Sequence, residues 1–101
     1  MNVYERLDVL SAGDSIFVDA HGVLVKNHEH DGKVNLPLIT ALKEAQDKGV
    51  AVVLWTGGSF SETCYIVELM KKHDLEFCDI FCNVIKGSII VDDRAVTPTW
   101  E

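Results

Sequence analysis

No apolar run in this 101-residue chain exceeds the six residues from Val50 to Trp55, whereas a membrane-crossing helix needs ~20. A spanning helix is therefore excluded. Basic residues are also scarce, with nine Lys and Arg against 16 Asp and Glu and a formal net charge of -7. That balance argues against a surface built to track a phosphate backbone, so nucleic acid is not an expected partner, while a local cationic pocket stays open. Cysteine is limited to Cys64, Cys78 and Cys82, an odd count. The first ten residues carry charge where a signal peptide would need an apolar core. Together these point to a reduced, cytoplasmic protein. There is no internal repeat, low-complexity tract or linker. What remains is a chain of 11.2 kDa, 48% hydrophobic and 25% charged, the composition of one soluble globular domain over residues 1–101. Such a length buries roughly two thirds of its unfolded surface, enough for a core without staples.

Three short apolar runs end on polar residues: Ser15–Val18 before Asp19, Val50–Trp55 before Thr56, and Ser88–Val91 before Asp92. Unbroken β-branched runs of this length suit strands covered on both faces, as in a parallel sheet between helices. Between the first two runs, Asn35 can cap a helix with Pro37 in its first turn. Leu38, Ile39, Leu42 and Ala45 then form an apolar stripe, and Gly49 sits where the helix should stop. After the second run, Ser59 and Glu62 fit a capping box. Phe60, Tyr65, Val67, Leu69 and Met70 supply the apolar faces of a second helix, and Lys71, Lys72 and His73 suit its negative end. Strands and helices in alternation imply βαβ units with right-handed crossovers, an α/β fold. Residues 20–34 read as a hairpin or loop flap around Asp31-Gly32. Residues 1–14 fit either a short helix or an extended arm, and 77–84 has room for a further short strand.

In an open parallel sheet, ligands bind outside the carboxyl ends of the strands, which here places Asp19, Thr56 and the Asp92-Asp93 pair around one crevice. Carboxylates facing one point repel each other unless a hard cation sits among them. Oxygen ligands with room for water suit Mg²⁺.

At these residues the chain resembles the haloacid dehalogenase-like phosphohydrolases. The stretch Ile16-Phe17-Val18-Asp19-Ala20-His21-Gly22-Val23-Leu24 resembles their strand followed by Asp-x-Asp-Gly-x-Leu, with His21 in place of the second Asp. The strand ending Leu54-Trp55-Thr56-Gly57-Gly58 is similar to their second motif, Lys86 to their single lysine, and Ile89-Ile90-Val91-Asp92-Asp93 to their terminal acid pair. The resemblance covers residues 15–95, most of the chain. It implies a Rossmann-like parallel sheet flanked by helices and a Mg²⁺-dependent phosphohydrolase. In that reading Asp19 is the nucleophile and His21 stands at the acid/base position. Thr56 holds a phosphoryl oxygen and Lys86 neutralises phosphate and nucleophile. Gly57 and Gly58 let backbone N–H groups approach the phosphate before a helix N-terminus. The metal would lie among Asp19, Asp92, Asp93 and the carbonyl of His21. The stretches from Asp19 to Thr56 and from Thr56 to Lys86 are each mostly filled by a helix, leaving no room for a cap domain. Capless relatives act on exposed phosphates of macromolecules, or on phosphorylated small molecules when oligomerisation closes the site.

Blander readings stand beside these. His28-Glu29-His30-Asp31 reads as a polar flap tip before it reads as a zinc site, Cys78 and Cys82 as small core residues, and Trp55, Phe60 and Tyr65 as packing. Trp100 suggests an oligomer contact. A domain that kept the fold and a metal or phosphate site, or that serves as an interaction module, while His21 removed turnover is the alternative to an active enzyme.

Overall fold

Asn2 opens the first helix by a reciprocal capping box: its side chain accepts the Glu5 N–H at 2.9 Å, and Glu5 receives the Asn2 N–H. The computed structural model describes residues 2–26 and 33–84. Within these, helix α1 (Val3–Asp8) is followed by β1 (Ser15–Val18), α2 (Leu36–Asp47), β2 (Ala51–Trp55), α3 (Phe60–Lys71) and β3 (Asp79–Phe81). The alternation expected of βαβ units is present: the three strands form one parallel sheet in the order β1-β2-β3, flanked by helices. The first element settles as a helix rather than an arm, and a short strand does lie within residues 77–84. The Ser88–Val91 run, Lys86, Asp92-Asp93, His28–Gly32 and Trp100 lie outside the described residues.

Each boundary has a local cause. Asn35 caps α2 by accepting the Leu38 N–H at 3.3 Å, with Pro37 in the first turn, where the missing N–H costs nothing. All four stripe residues, Leu38, Ile39, Leu42 and Ala45, are buried. The chain then reverses at Gly49, whose φ of +94° is left-handed. A Cβ there would also stand 3.0 Å from Ala12 Cβ, so this glycine is required by both conformation and space. Ser59 caps α3 through the Glu62 N–H.

The main core lies on one face of the sheet. Val18, Val52 and Leu54 pack there with Leu38, Ile39 and Leu42 of α2, Ile66 and Met70 of α3, Val3 and Leu7 of α1, and Leu24 and Leu75 from the loops. The opposite face carries an aromatic trio. Phe17 stacks on Trp55 at 5.9 Å and 16°, and Trp55 meets Phe81 at 5.6 Å. Among the described residues this second face is only partly covered, with Phe17 59% exposed, so burial on both faces, expected from the apolar runs, holds for the centre of β2 and not for β1.

Three further expectations are corrected. Phe60 does not pack: at the first residue of α3 it is exposed, while Thr63, Ile66 and Met70 form the buried stripe. Thr63 is tolerated inside because its hydroxyl donates to the Ser59 carbonyl at 2.7 Å. Cys78 is exposed and Cys82 half-buried, because they flank β3, whose residues are all exposed, and do not enter the core.

Candidate functional site

The sheet register brings two of the expected residues to one end. Val18 pairs with Leu54 in parallel, so Asp19, directly after β1, and Thr56, directly after β2, both emerge at the carboxyl ends of neighbouring strands. Asp19 is exposed, and its Oδ1 accepts the Ala20 N–H at 2.7 Å. That bond holds the carboxylate against the backbone of the next residue.

The chain beyond Asp19 turns tightly. The Ala20 carbonyl accepts from the N–H groups of Val23, Leu24 and Val25, and Gly22, at φ +82°, donates to Val25 at 2.7 Å. A left-handed residue is required at this turn, which is what glycine supplies. Leu24 and Val25 are then buried, and the Leu24 carbonyl receives the Asn35 N–H at 2.8 Å, so the turn is clamped to the start of α2. Val25 bridges to Val34 in antiparallel fashion and Lys26 donates to Lys33. These contacts give the base of the expected hairpin.

Thr56 is 2% exposed. Its backbone N–H donates to the Phe81 carbonyl at 2.8 Å and its carbonyl accepts from Val84, tying the loop to β3. Its Oγ1 accepts the Gly58 N–H at 3.0 Å. The hydroxyl proton is thereby left as its donor, the polarity needed to hold a phosphoryl oxygen. The same bond turns the Gly58 N–H onto the threonine side chain, so the expectation that this amide faces a ligand is not met in this conformation. Gly57 and Gly58 are both half-buried in front of α3.

His21 lies in the turn, its side chain only 9% exposed, with Nε2 3.5 Å from Oε2 of Glu62 in the first turn of α3. The contact joins the segment after β1 to the helix after β2. The spacing of Ser59 and Glu62 pointed to a reciprocal capping box, but only the serine half forms: Ser59 Oγ accepts the Glu62 N–H at 3.3 Å, while the glutamate carboxylate reaches across to His21. A Cβ on Gly58 would lie 3.3 Å from both Glu62 Oε2 and Thr56 Oγ1. Glu62 therefore passes close over Gly58 and belongs to the site, a role its local spacing did not signal.

Asp19, His21, Thr56, Gly57 and Gly58 are thus gathered at one end of the sheet, with Glu62 added. Lys86, Asp92 and Asp93 lie outside the described residues. No group of three or more His, Cys, Asp or Glu placed to hold a metal occurs among the described residues. No helix among them is long and apolar enough to cross a membrane. Comparison with protein-family models, curated protein sequences and solved structures finds no match.

Proposed function

We propose that the protein is a Mg²⁺-dependent phosphohydrolase of the haloacid dehalogenase-like type, with a Rossmann-like sheet, acting through an aspartyl-phosphate on a phosphomonoester. The observation that carries this reading is the common exit of Asp19 and Thr56 from adjacent parallel strands, the arrangement in which α/β sheets place ligands. The order of the motifs along the sequence supplies the rest.

The Asp19 carboxylate attacks phosphorus, a P–O bond to Asp19 forms, and the bond to the leaving oxygen breaks. The protonated His21 imidazole gives its proton to that oxygen. Neutral His21 then takes a proton from water, whose oxygen attacks the aspartyl-phosphate. Inorganic phosphate leaves and the Asp19 carboxylate is regenerated. The Thr56 hydroxyl donates to a phosphoryl oxygen, and Lys86 offsets the charge of nucleophile and phosphate. An exposed Asp19 suits a hard cation, and Asp19, Asp92, Asp93 and the His21 carbonyl form an all-oxygen donor set for Mg²⁺. When bound, the ion supplies charge neutralisation between the two reacting anions.

One observation favours a second reading. His21 is nearly enclosed and engaged by Glu62, which suits a domain that keeps a phosphate or metal site, or an interaction role, without turnover. Hydrolysis of a generic aryl phosphate with and without Mg²⁺ decides between them. Magnesium-dependent release of phosphate is expected, and its absence in pure, folded protein at every substrate tried leaves the non-catalytic reading. A panel of phosphorylated metabolites, nucleotides and phosphopeptides then identifies the substrate class.

A further inference from the structure

A regular parallel ladder spends its amides at fixed intervals. The Thr56 N–H donates to the Phe81 carbonyl at 2.8 Å, so the Thr56 carbonyl should receive the N–H two residues beyond Phe81, that of Asn83. It receives Val84 instead, at 3.2 Å, and the Asn83 N–H goes to the Gly58 carbonyl at 2.9 Å. The chain after β3 therefore carries one extra residue, in the manner of a bulge. That residue is Asn83, whose φ of +56° is left-handed. Consecutive amides of an extended strand point to opposite sides, and the left-handed residue brings both onto one loop. Asparagine adopts this conformation more readily than most residues with a Cβ.

The two bonds fix two peptide planes. Across a trans peptide the N–H points opposite to the C=O. With the Thr56 carbonyl held by Val84, the Gly57 N–H is turned away from β3, which in the order β1-β2-β3 is the side of β1 and Asp19. With the Gly58 carbonyl held by Asn83, the Ser59 N–H is likewise turned away from Asn83. The Gly58 N–H between them is spent on Thr56 Oγ1 at 3.0 Å. A reciprocal capping box would give the Ser59 N–H to the Glu62 carboxylate, and here that carboxylate lies beside His21. Among the described residues, the Gly57 and Ser59 N–H groups meet no acceptor.

We propose that Asn83 is a positioning residue for the Thr56–Ser59 loop: its left-handed backbone holds the Gly58 carbonyl directly and the Thr56 carbonyl through Val84, so that the Gly57 and Ser59 amides are presented together to a phosphoryl group. The Gly58 amide takes no part. Donors fixed before the ligand arrives need no reorganisation when it binds. The part that concerns turnover rests on the phosphohydrolase reading, and the clamp and its phosphate contact do not.

The test uses the full chain labelled with ¹³C and ¹⁵N. Scalar couplings across hydrogen bonds should link Asn83 N to the Gly58 carbonyl carbon and Val84 N to that of Thr56. Inorganic phosphate, added with Mg²⁺, should move the Gly57 and Ser59 amide protons downfield by more than that of Gly58. Asn83→Gly keeps the left-handed conformation and should keep the couplings and the affinity. Asn83→Val, whose β-branch disfavours that conformation, should lose the couplings and weaken phosphate about tenfold or more, the worth of one charge-assisted hydrogen bond. Asn83→Ala, a milder change, should fall between them. With an aryl phosphate the loss should appear in KM more than in kcat, because the amides hold the phosphoryl group before and during transfer. Wild-type Gly57 and Ser59 amides that do not respond to phosphate overturn the proposal, as does unchanged affinity in folded Asn83→Val or Asn83→Ala protein. Equal losses in Asn83→Gly and Asn83→Val overturn it too, since they place the effect in the side chain. If amides and variants respond as expected while wild type turns over no ester, the clamp stands and the phosphohydrolase reading falls. Ester hydrolysis with silent amides gives the reverse.

Discussion

Val18 and Leu54 are register partners in parallel strands, and from that single pairing Asp19 and Thr56 follow as neighbours at the same sheet edge. The two residues are 37 positions apart in sequence (56 − 19), and α2 is the crossover that makes the pairing parallel.

Asp19→Asn should abolish phosphate release while leaving the protein folded, because an amide of the same shape cannot form the acyl phosphate. Release of phosphate from the purified variant, set beside its circular dichroism melt, checks both halves. Activity persisting at wild-type level would assign the chemistry to another nucleophile or to water.

His21→Ala should lose about two to four orders of magnitude in turnover, the range for general acid–base help, and keep its magnesium response. His21→Asp should retain or raise activity, since it restores the residue that the resembling enzymes carry. A wild type inactive on every ester, with activity gained in His21→Asp, would convert the site to a binding site that lost its acid.

Mg²⁺ should raise the melting temperature by mass action. Asp92→Ala and Asp93→Ala should each shrink that shift. If both variants respond to magnesium as the wild type does, the terminal acids do not hold the ion.

Gly49→Ala should destabilise the fold without touching the chemistry. The left-handed φ of +94° costs roughly 1–2 kcal/mol for a residue with a Cβ, and the approach to Ala12 Cβ at 3.0 Å adds to it. A urea midpoint lowered at constant slope, with kcat unchanged, is the expected result.

Leu42→Ala should cost about 2–5 kcal/mol, the range for emptying a buried leucine site, because Leu42 is fully buried between α2 and the sheet. Against a total stability of about 5–15 kcal/mol, that loss should be plain in the same urea titration.

The elements most legible in the sequence are those with local punctuation. Asn35 and Ser59 announce α2 and α3 because capping is decided within three or four residues, and Gly49 marks the stop for a stereochemical reason. Residues 1–14 carry no comparable periodic stripe, so the capping box of Asn2 and Glu5 gains its meaning from the tertiary burial of Val3 and Leu7. Hydrophobicity marks Phe60 for packing but does not say whether a first-turn residue is covered, and Phe60 is exposed. The apolar character of Cys78 suggests the core, but its exposure beside β3 is set by what packs around the strand and not by the residue. Glu62 shows the limit most sharply. Its spacing from Ser59 predicts a local partner, whereas its actual partner, His21, lies 41 positions away (62 − 21), and competition between a near and a distant donor cannot be read from a local pattern.

Trp55, stacked on Phe17 and adjoining Phe81, is followed directly by Thr56, whose amide is bonded to the Phe81 carbonyl. An indole wired in this way to the loop it precedes is a built-in optical reporter. The chain has only two tryptophans, Trp55 and Trp100, so Trp100→Phe leaves a single emitter, and a change in its intensity on ligand addition is the expected sign of occupancy at the strand-end crevice. Ligand titrations can then be run on the unlabelled protein, including variants that turn nothing over.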